Sequence, residues 1–230
     1  KLVTSVHVDD RDDSRIWMGS ERSGLTKFDK KGFYTYAVQD GLPSNSIRDI
    51  TQSNDGTLII ACYKAGVAKF DGKKFTLYDN GLDDKRVILL ENGFDGEIWA
   101  GTESAGIGVL EQDQFRMIRD SDGLAHNEMF SLYNDGKRMW AGTFGGGVSC
   151  FHDNTWFTLR ESDGLNSNTV GSIVSIDENT TMIGGTSGVS IFKTNNQKFS
   201  LEMGDILTPK EEVSFDKQME PIKGILKDRF

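Results

Sequence analysis

Short apolar stretches broken by turn residues run along the chain. Thr4 to Val8 alternates ahead of the charged turn Asp9-Asp10-Arg11-Asp12-Asp13-Ser14. A second stretch reads Ser46 to Thr51, the turn Ser53-Asn54-Asp55-Gly56, Leu58 to Ala61, Gly66 to Phe70, Asp71-Gly72 and Phe75 to Tyr78. Alternation over so few residues, bounded by an Asn-Asp-Gly that supplies positive φ, predicts β-strands joined by tight hairpins.

The plan recurs. Glu97-Ile98-Trp99-Ala100-Gly101-Thr102 has counterparts in Arg15 to Ser20 and Arg138 to Thr143, and Leu58 to Cys62 and Met182 to Thr186 occupy the same slot with Ile in place of Trp. The slot falls at Trp17, Ile59, Trp99, Trp140 and Ile183, at intervals of 42, 40, 41 and 43 residues. A Gly followed by an aliphatic residue marks a second anchor at Gly24, Gly66, Gly106, Gly147 and Gly188. Asp40-Gly41-Leu42, Asn80-Gly81-Leu82, Asp122-Gly123-Leu124 and Asp163-Gly164-Leu165 mark a third. Three anchors in one register, at about the length of a four-stranded blade, predict an all-β propeller. The reading is five blades over residues 1–201, either a closed ring or a portion of a larger one. Residues 202–230 lose the pattern and read as a linker, a partial extra blade or the first strands of another domain, with Val213-Ser214-Phe215 and Ile225-Leu226 as candidate strands. Trp and Phe at fixed slots are expected to fill the wedges between blades.

Composition narrows the partners. With 35 acidic against 26 basic residues the net charge is −9, which leaves no basic face for nucleic acid. No apolar run approaches the ~20 residues of a membrane span, and Lys1 opens neither a signal peptide nor a complete reading frame, so the sequence reads as a piece of a longer protein. Cys62 and Cys150 fall in different blades and are expected as buried free thiols.

Catalytic chemistry is sparse. His7, His126 and His152 are isolated from one another, without metal-ligand spacing or an adjacent acid pair, and neither a nucleophile elbow nor a phosphate loop occurs. The turn aspartates are explained by turn chemistry, so no metal and no cofactor is expected. A ligand is expected on the face where the loop into each inner strand meets the loop between the second and third strands. The first loop offers Asn45, Lys85, Asn127 and Asn168 in one slot, with His126 just before Asn127, and the second offers Arg22, Lys64 and Phe144. Asn in the shared slot also suits turn capping. Positions that depart from the repeat carry the most information, and among them Arg22 suits a carboxylate clamp and Phe144 a sugar-stacking face.

Gly41-Leu42-Pro43-Ser44-Asn45-Ser46-Ile47, the turn Asn54-Asp55-Gly56, and Trp140 to Val148 with its Trp-Xaa-Gly-Thr and Gly-Gly-Val together resemble the two-component regulator propeller repeat, over residues 1 to about 201. Blade two, with Ile59, Ala61 and Cys62, and blade five depart from that pattern. The resemblance implies a non-catalytic, periplasmic or extracellular sensor domain of a bacterial signalling receptor, with an oligosaccharide or other small molecule as ligand, self-association between propellers, and a kinase or cyclase elsewhere in the parent chain. A generic protein-interaction scaffold and a secreted propeller lyase are the alternatives.

Overall fold

A computed structural model describes residues 2–195 and 198–203. Among them, five four-stranded antiparallel sheets are each built from consecutive strands. Blade one contains β1 (Val3–Val8), β2 (Ile16–Ser20), β3 (Leu25–Asp29) and β4 (Gly32–Tyr36). Blade two contains β5 (Ile47–Gln52), β6 (Leu58–Cys62), β7 (Gly66–Phe70) and β8 (Phe75–Tyr78). Blade three contains β9 (Val87–Asn92), β10 (Ile98–Thr102), β11 (Ile107–Glu111) and β12 (Gln114–Ile118). Blade four contains β13 (Met129–Asn134), β14 (Met139–Thr143), β15 (Val148–His152) and β16 (Thr155–Leu159). Blade five contains β17 (Val170–Asp177), β18 (Thr180–Gly185), β19 (Gly188–Asn195) and β20 (Lys198–Met203). The inner strands β1, β5, β9, β13 and β17 pack on one another in chain order. The expected tail strands at 213–215 and 225–226 lie outside the described residues.

Cross-strand pairing sorts each sheet into two faces, because residues opposite one another point the same way. In blade three Trp99 lies opposite Glu91 and Val109, and Gly101 opposite Leu89 and Ile107. That front face meets the next blade: Trp99, Ile107 and Val109 form one buried cluster with Met129, Met139 and Ala141. The same front-on-back contact places Trp17 and Leu25 on Ile50, Leu58, Ile60 and Phe70. It places Ile59, Ala61 and Val67 on Leu90, Ile98 and Leu110, and Trp140, Val148 and Cys150 on Val170, Ile183 and Phe192. Aromatic rings fill the wedges as expected. Both cysteines are buried and free, and burial pushes the Cys62 thiol up to about 12.

Each buried indole needs an acceptor, and the hairpin at the near end of its own sheet supplies one. Trp17 Nε1 donates to Asp9 at 3.1 Å, Trp99 to Glu97 at 3.0 Å and Trp140 to Asp135 at 3.0 Å. In blade two, where Ile59 donates nothing, Asp55 instead closes its own turn by accepting from Ser53 and Thr57. The glycine of the second anchor is required by space and conformation: Gly106 and Gly147 sit at φ +82° and +95°, and a Cβ there would run into the carbonyls of Ile118 and Leu159.

Blade five corrects one sequence assignment. Met182 lies opposite Val174 and Ile191, and Gly184 opposite Val189, as Trp140 lies opposite Tyr133 and Cys150 and Gly142 opposite Val148. The Trp slot of blade five is therefore Met182 and not Ile183, which turns back onto Trp140. Two adjacent apolar residues hid a one-residue slip, and such a slip exchanges the two faces of a strand.

Among the described residues β17 does not pack on β1 as successive inner strands pack on one another. The back of blade one carries Val8, Ile16, Phe28 and Phe33 across its four strands, of which Val8 is 50 % and Phe33 70 % exposed. On the front of blade five Val174 is 51 % exposed. Among the described residues, these outer faces of blades one and five are left exposed.

Candidate functional site

At the loop end of each blade one backbone hydrogen bond joins the two loops that reach the channel mouth. Glu21 donates its N–H to Leu2, Tyr63 to Ser46, Glu103 to Arg86, Phe144 to Glu128 and Thr186 to Thr169. Two residues beyond each acceptor is the second residue of the inner strand, so the register brings two positions per blade to the mouth. They are Thr4 and Glu21 in blade one, Arg48 and Tyr63 in blade two, Ile88 and Glu103 in blade three, Phe130 and Phe144 in blade four, and Gly171 and Thr186 in blade five. The chemistry at these slots changes from blade to blade, while the indoles, glycines and turns around them recur. Packing between blades would be served by one repeated residue, so the variation points to contact with something outside the repeat.

Blade four supplies an aromatic half. The Phe130 and Phe144 rings stand 5.8 Å apart, and both are about half exposed, at 47 % and 51 %. Beside them runs a groove of about 410 Å³ along Phe130, Thr169, Gly171, Gly184, Thr186 and Val189, whose glycines leave its floor open.

Blades two and three supply a charged half. Tyr63 donates its hydroxyl to Glu103 at 3.0 Å, and Arg86 Nη1 meets the same carboxylate at 2.9 Å. The Glu103 bond, with burial and the Glu103 charge behind it, raises the Tyr63 phenol above its ordinary value. Arg86 forks onto both oxygens of Asp84 at 2.9 Å, and Asp84 also accepts from the Ser104 amide and hydroxyl. Burial alone would raise the Asp84 carboxyl; the bonds from Arg86 and Ser104 outweigh it and hold it below the usual range. Arg48 stacks its guanidinium 4.4 Å above the Tyr63 ring.

The candidates from sequence divide accordingly. Phe144 is at the mouth, and Lys64 is beside it, 5.7 Å from the Tyr63 ring centroid. Asn45, Asn127 and Asn168 turn their side-chain oxygens to the amides of Val38, Asp120 and Glu161, closing the short helical turn before each Gly-Leu. Their carbonyls are therefore committed to the fold. Lys85, in the same slot, pairs with Asp79 at 2.6 Å. His126 accepts the Glu128 amide on Nδ1, a local turn bond. Arg22 is exposed and has no partner among the described residues. Arg48 and Phe130 also depart from the repeat, both at the second position of an inner strand rather than in a loop.

The opposite end holds a larger cavity of about 490 Å³ lined by Lys137, Arg138, His152, Asp153, Glu178 and Asn179. Its charges are matched internally, Lys137 to Glu178 at 2.9 Å and Arg138 to Asp135 at 2.7 Å.

No family model matches the sequence, and no curated protein matches it. Solved structures do. The extracellular domain assigned to the hybrid two component system BT3049 from B. thetaiotaomicron superposes at TM-score 0.71 with 20 % identity, covering 86 % of this chain and 29 % of that one. The extracellular domain assigned to the hybrid two component system BT4673 from the same organism gives TM-score 0.72 with 15 % identity, over 90 % of this chain and 31 % of that one. Virginiamycin B lyase from Staphylococcus aureus gives 0.61 with 14 % identity, over 90 % of this chain and 71 % of that one. The first two are the kind of receptor to which the resemblance of the repeat points. This chain spans under a third of their length, and what it shares with all three is the β-propeller fold.

Proposed function

We propose that this chain is part of the sensor region of a bacterial signalling receptor, lying outside the cytoplasm, and that it binds a small molecule or oligosaccharide at the channel mouth without catalysis. The observation that carries the reading is the exposed Phe130–Phe144 pair at slots where the repeat varies, since exposed rings side by side offer a stacking face to a sugar or other planar group. The shared fold with receptor domains supports the setting. The fold is also shared with a lyase, but His126, the histidine of the loop end, has its Nδ1 taken by a backbone amide.

Thermal shift of the chain against oligosaccharides, amino acids and dipeptides tests the reading. A ligand at 100 times its Kd adds about 2.7 kcal/mol to stability. The expected result is a stabilising ligand whose effect disappears in Phe144→Ala, with Arg22→Ala as a second loop-end variant; a stabilisation indifferent to both would move the site elsewhere. Contact between propeller units is a second reading, favoured by the exposed Val8, Phe33 and Val174, and sedimentation equilibrium of the chain with and without residues 202–230 tests it.

A further inference from the structure

Two cations at the mouth share one ring and lack an anion. Arg48 and Lys64 approach the Tyr63 ring to 4.4 and 5.7 Å of its centroid, and neither has a carboxylate partner among the described residues. Arg48 Nε is buried without a hydrogen-bond acceptor. Acceptors are not scarce in a chain with 35 acidic residues. The neighbouring Arg86 shows what the same loops do when a guanidinium is needed for the fold: it is matched by Asp84 and Glu103. Of the carboxylates near Arg48, Asp49 turns away to accept from Ser5 and from the amides of Ile50 and Leu90, and Glu103 is engaged by Tyr63 and Arg86. Lys64 holds a left-handed backbone, φ +64°, which a side chain adopts at a cost. A guanidinium offers a rigid fork of donors that fits a carboxylate, and an ammonium adds charge without demanding one geometry.

We propose that Arg48, Lys64 and the Tyr63 ring form an anion site for the carboxylate of a small ligand. The inference rests on the mouth reading and narrows it: the ligand is acidic, carrying either a uronate or the α-carboxylate of an amino acid, two sources of the same group.

The test is ligand-observed NMR and calorimetric titration of the 230-residue chain with glucuronate, glucose and N-acetylalanine as probes, each at low and high salt. The expected result is a carboxylate probe bound at least ~10-fold tighter than glucose, weakening with salt, and losing ~10-fold or more in Arg48→Gln and in the exposed variant Lys64→Gln. A response to glucuronate alone identifies an acidic sugar, and a response to N-acetylalanine alone an amino acid; either supports the site. Glucose and glucuronate binding equally, with Phe144→Ala abolishing both, overturns the anion site and leaves the mouth reading standing. Absence of binding by both carboxylate probes, or binding unchanged in Lys64→Gln and Arg48→Gln, also overturns it.

Discussion

At the hairpin end of the sheets, Asp9 takes the Trp17 indole and Arg15, Glu97 takes the Trp99 indole, and Asp135 takes the Trp140 indole and Arg138. At the loop end, Arg48 lies on a ring with an unpaired Nε, Lys64 shares that ring, and two phenylalanines are half exposed. Both ends belong to the same strands and the same repeat. The difference is that the hairpin end meets Arg15, Arg138 and the indoles with carboxylates, leaving only Arg15 Nε without an acceptor among the described residues, whereas the loop end leaves Arg48 and Lys64 without a carboxylate and two phenylalanine rings half exposed. Energy left unrealised in the free protein is what a ligand can use.

The comparison predicts opposite responses to mutation. The largest effect belongs to Asp135→Ala, which strands the Arg138 guanidinium, 5 % exposed, together with the Trp140 N–H. Removing one partner of a buried pair costs about 3–5 kcal/mol, to be read as a fall in the urea midpoint. Next is Trp99→Phe, which keeps a ring in the wedge but leaves Glu97 without its indole donor, for about 1–3 kcal/mol in the same assay. At the loop end, Phe144→Ala and Lys64→Gln are expected to change stability by under ~0.5 kcal/mol while removing ligand response. A loss of several kcal/mol in either would show that the loop end is structural too.

The smallest effects are in pH dependence, and their signs differ by location. Asp55, in a hairpin turn, is held down to about 2 by the Ser53 hydroxyl and the Thr57 amide and hydroxyl. Its contribution is full above the ordinary value of 3.8 and disappears as pH falls through about 2. Asp49, on an inner strand, is raised by burial in spite of its bonds from Leu90, Ile50 and Ser5. Its contribution is full below 3.8 and is lost as pH rises through the raised folded value. Glu91, on the next inner strand, is likewise raised by burial, so its contribution is full below 4.5 and is lost above that in the same sense. Carboxyl-carbon NMR titration is expected to show Asp55 protonating last on acidification and Asp49 and Glu91 well before it; Asp49 titrating below 3.8 would mean that water reaches the inner strands.

Much of this was legible in the sequence because blades repeat: Trp17, Trp99 and Trp140 mark the second strand, and Gly24 to Gly188 mark the third. Period alone could not resolve Met182 from Ile183, since the choice between adjacent apolar residues depends on pairing with Val174 and Ile191. Nor could it show which polar residues were already engaged. Asn127 and Phe144 look equally free in a string of letters, and only geometry shows the Asn127 oxygen bonded to Asp120 and the Phe144 ring in water. Arg48 is as hard to read from sequence, because it lies inside a strand, between buried Ile47 and half-buried Asp49.

Among the described residues, front-on-back contact makes the blades a one-dimensional array with four couplings, each a buried cluster between successive blades. Blades two, three and four are coupled on both sides and blades one and five on one, so thermal fraying enters from the ends and dies away inward. Amide exchange is expected to be slowest in blade three. The Arg48–Tyr63 and Phe130–Phe144 pairs belong to blades two and four, one unit in from each end, where the array can lose an outer blade to fluctuation without losing the residues that face a ligand.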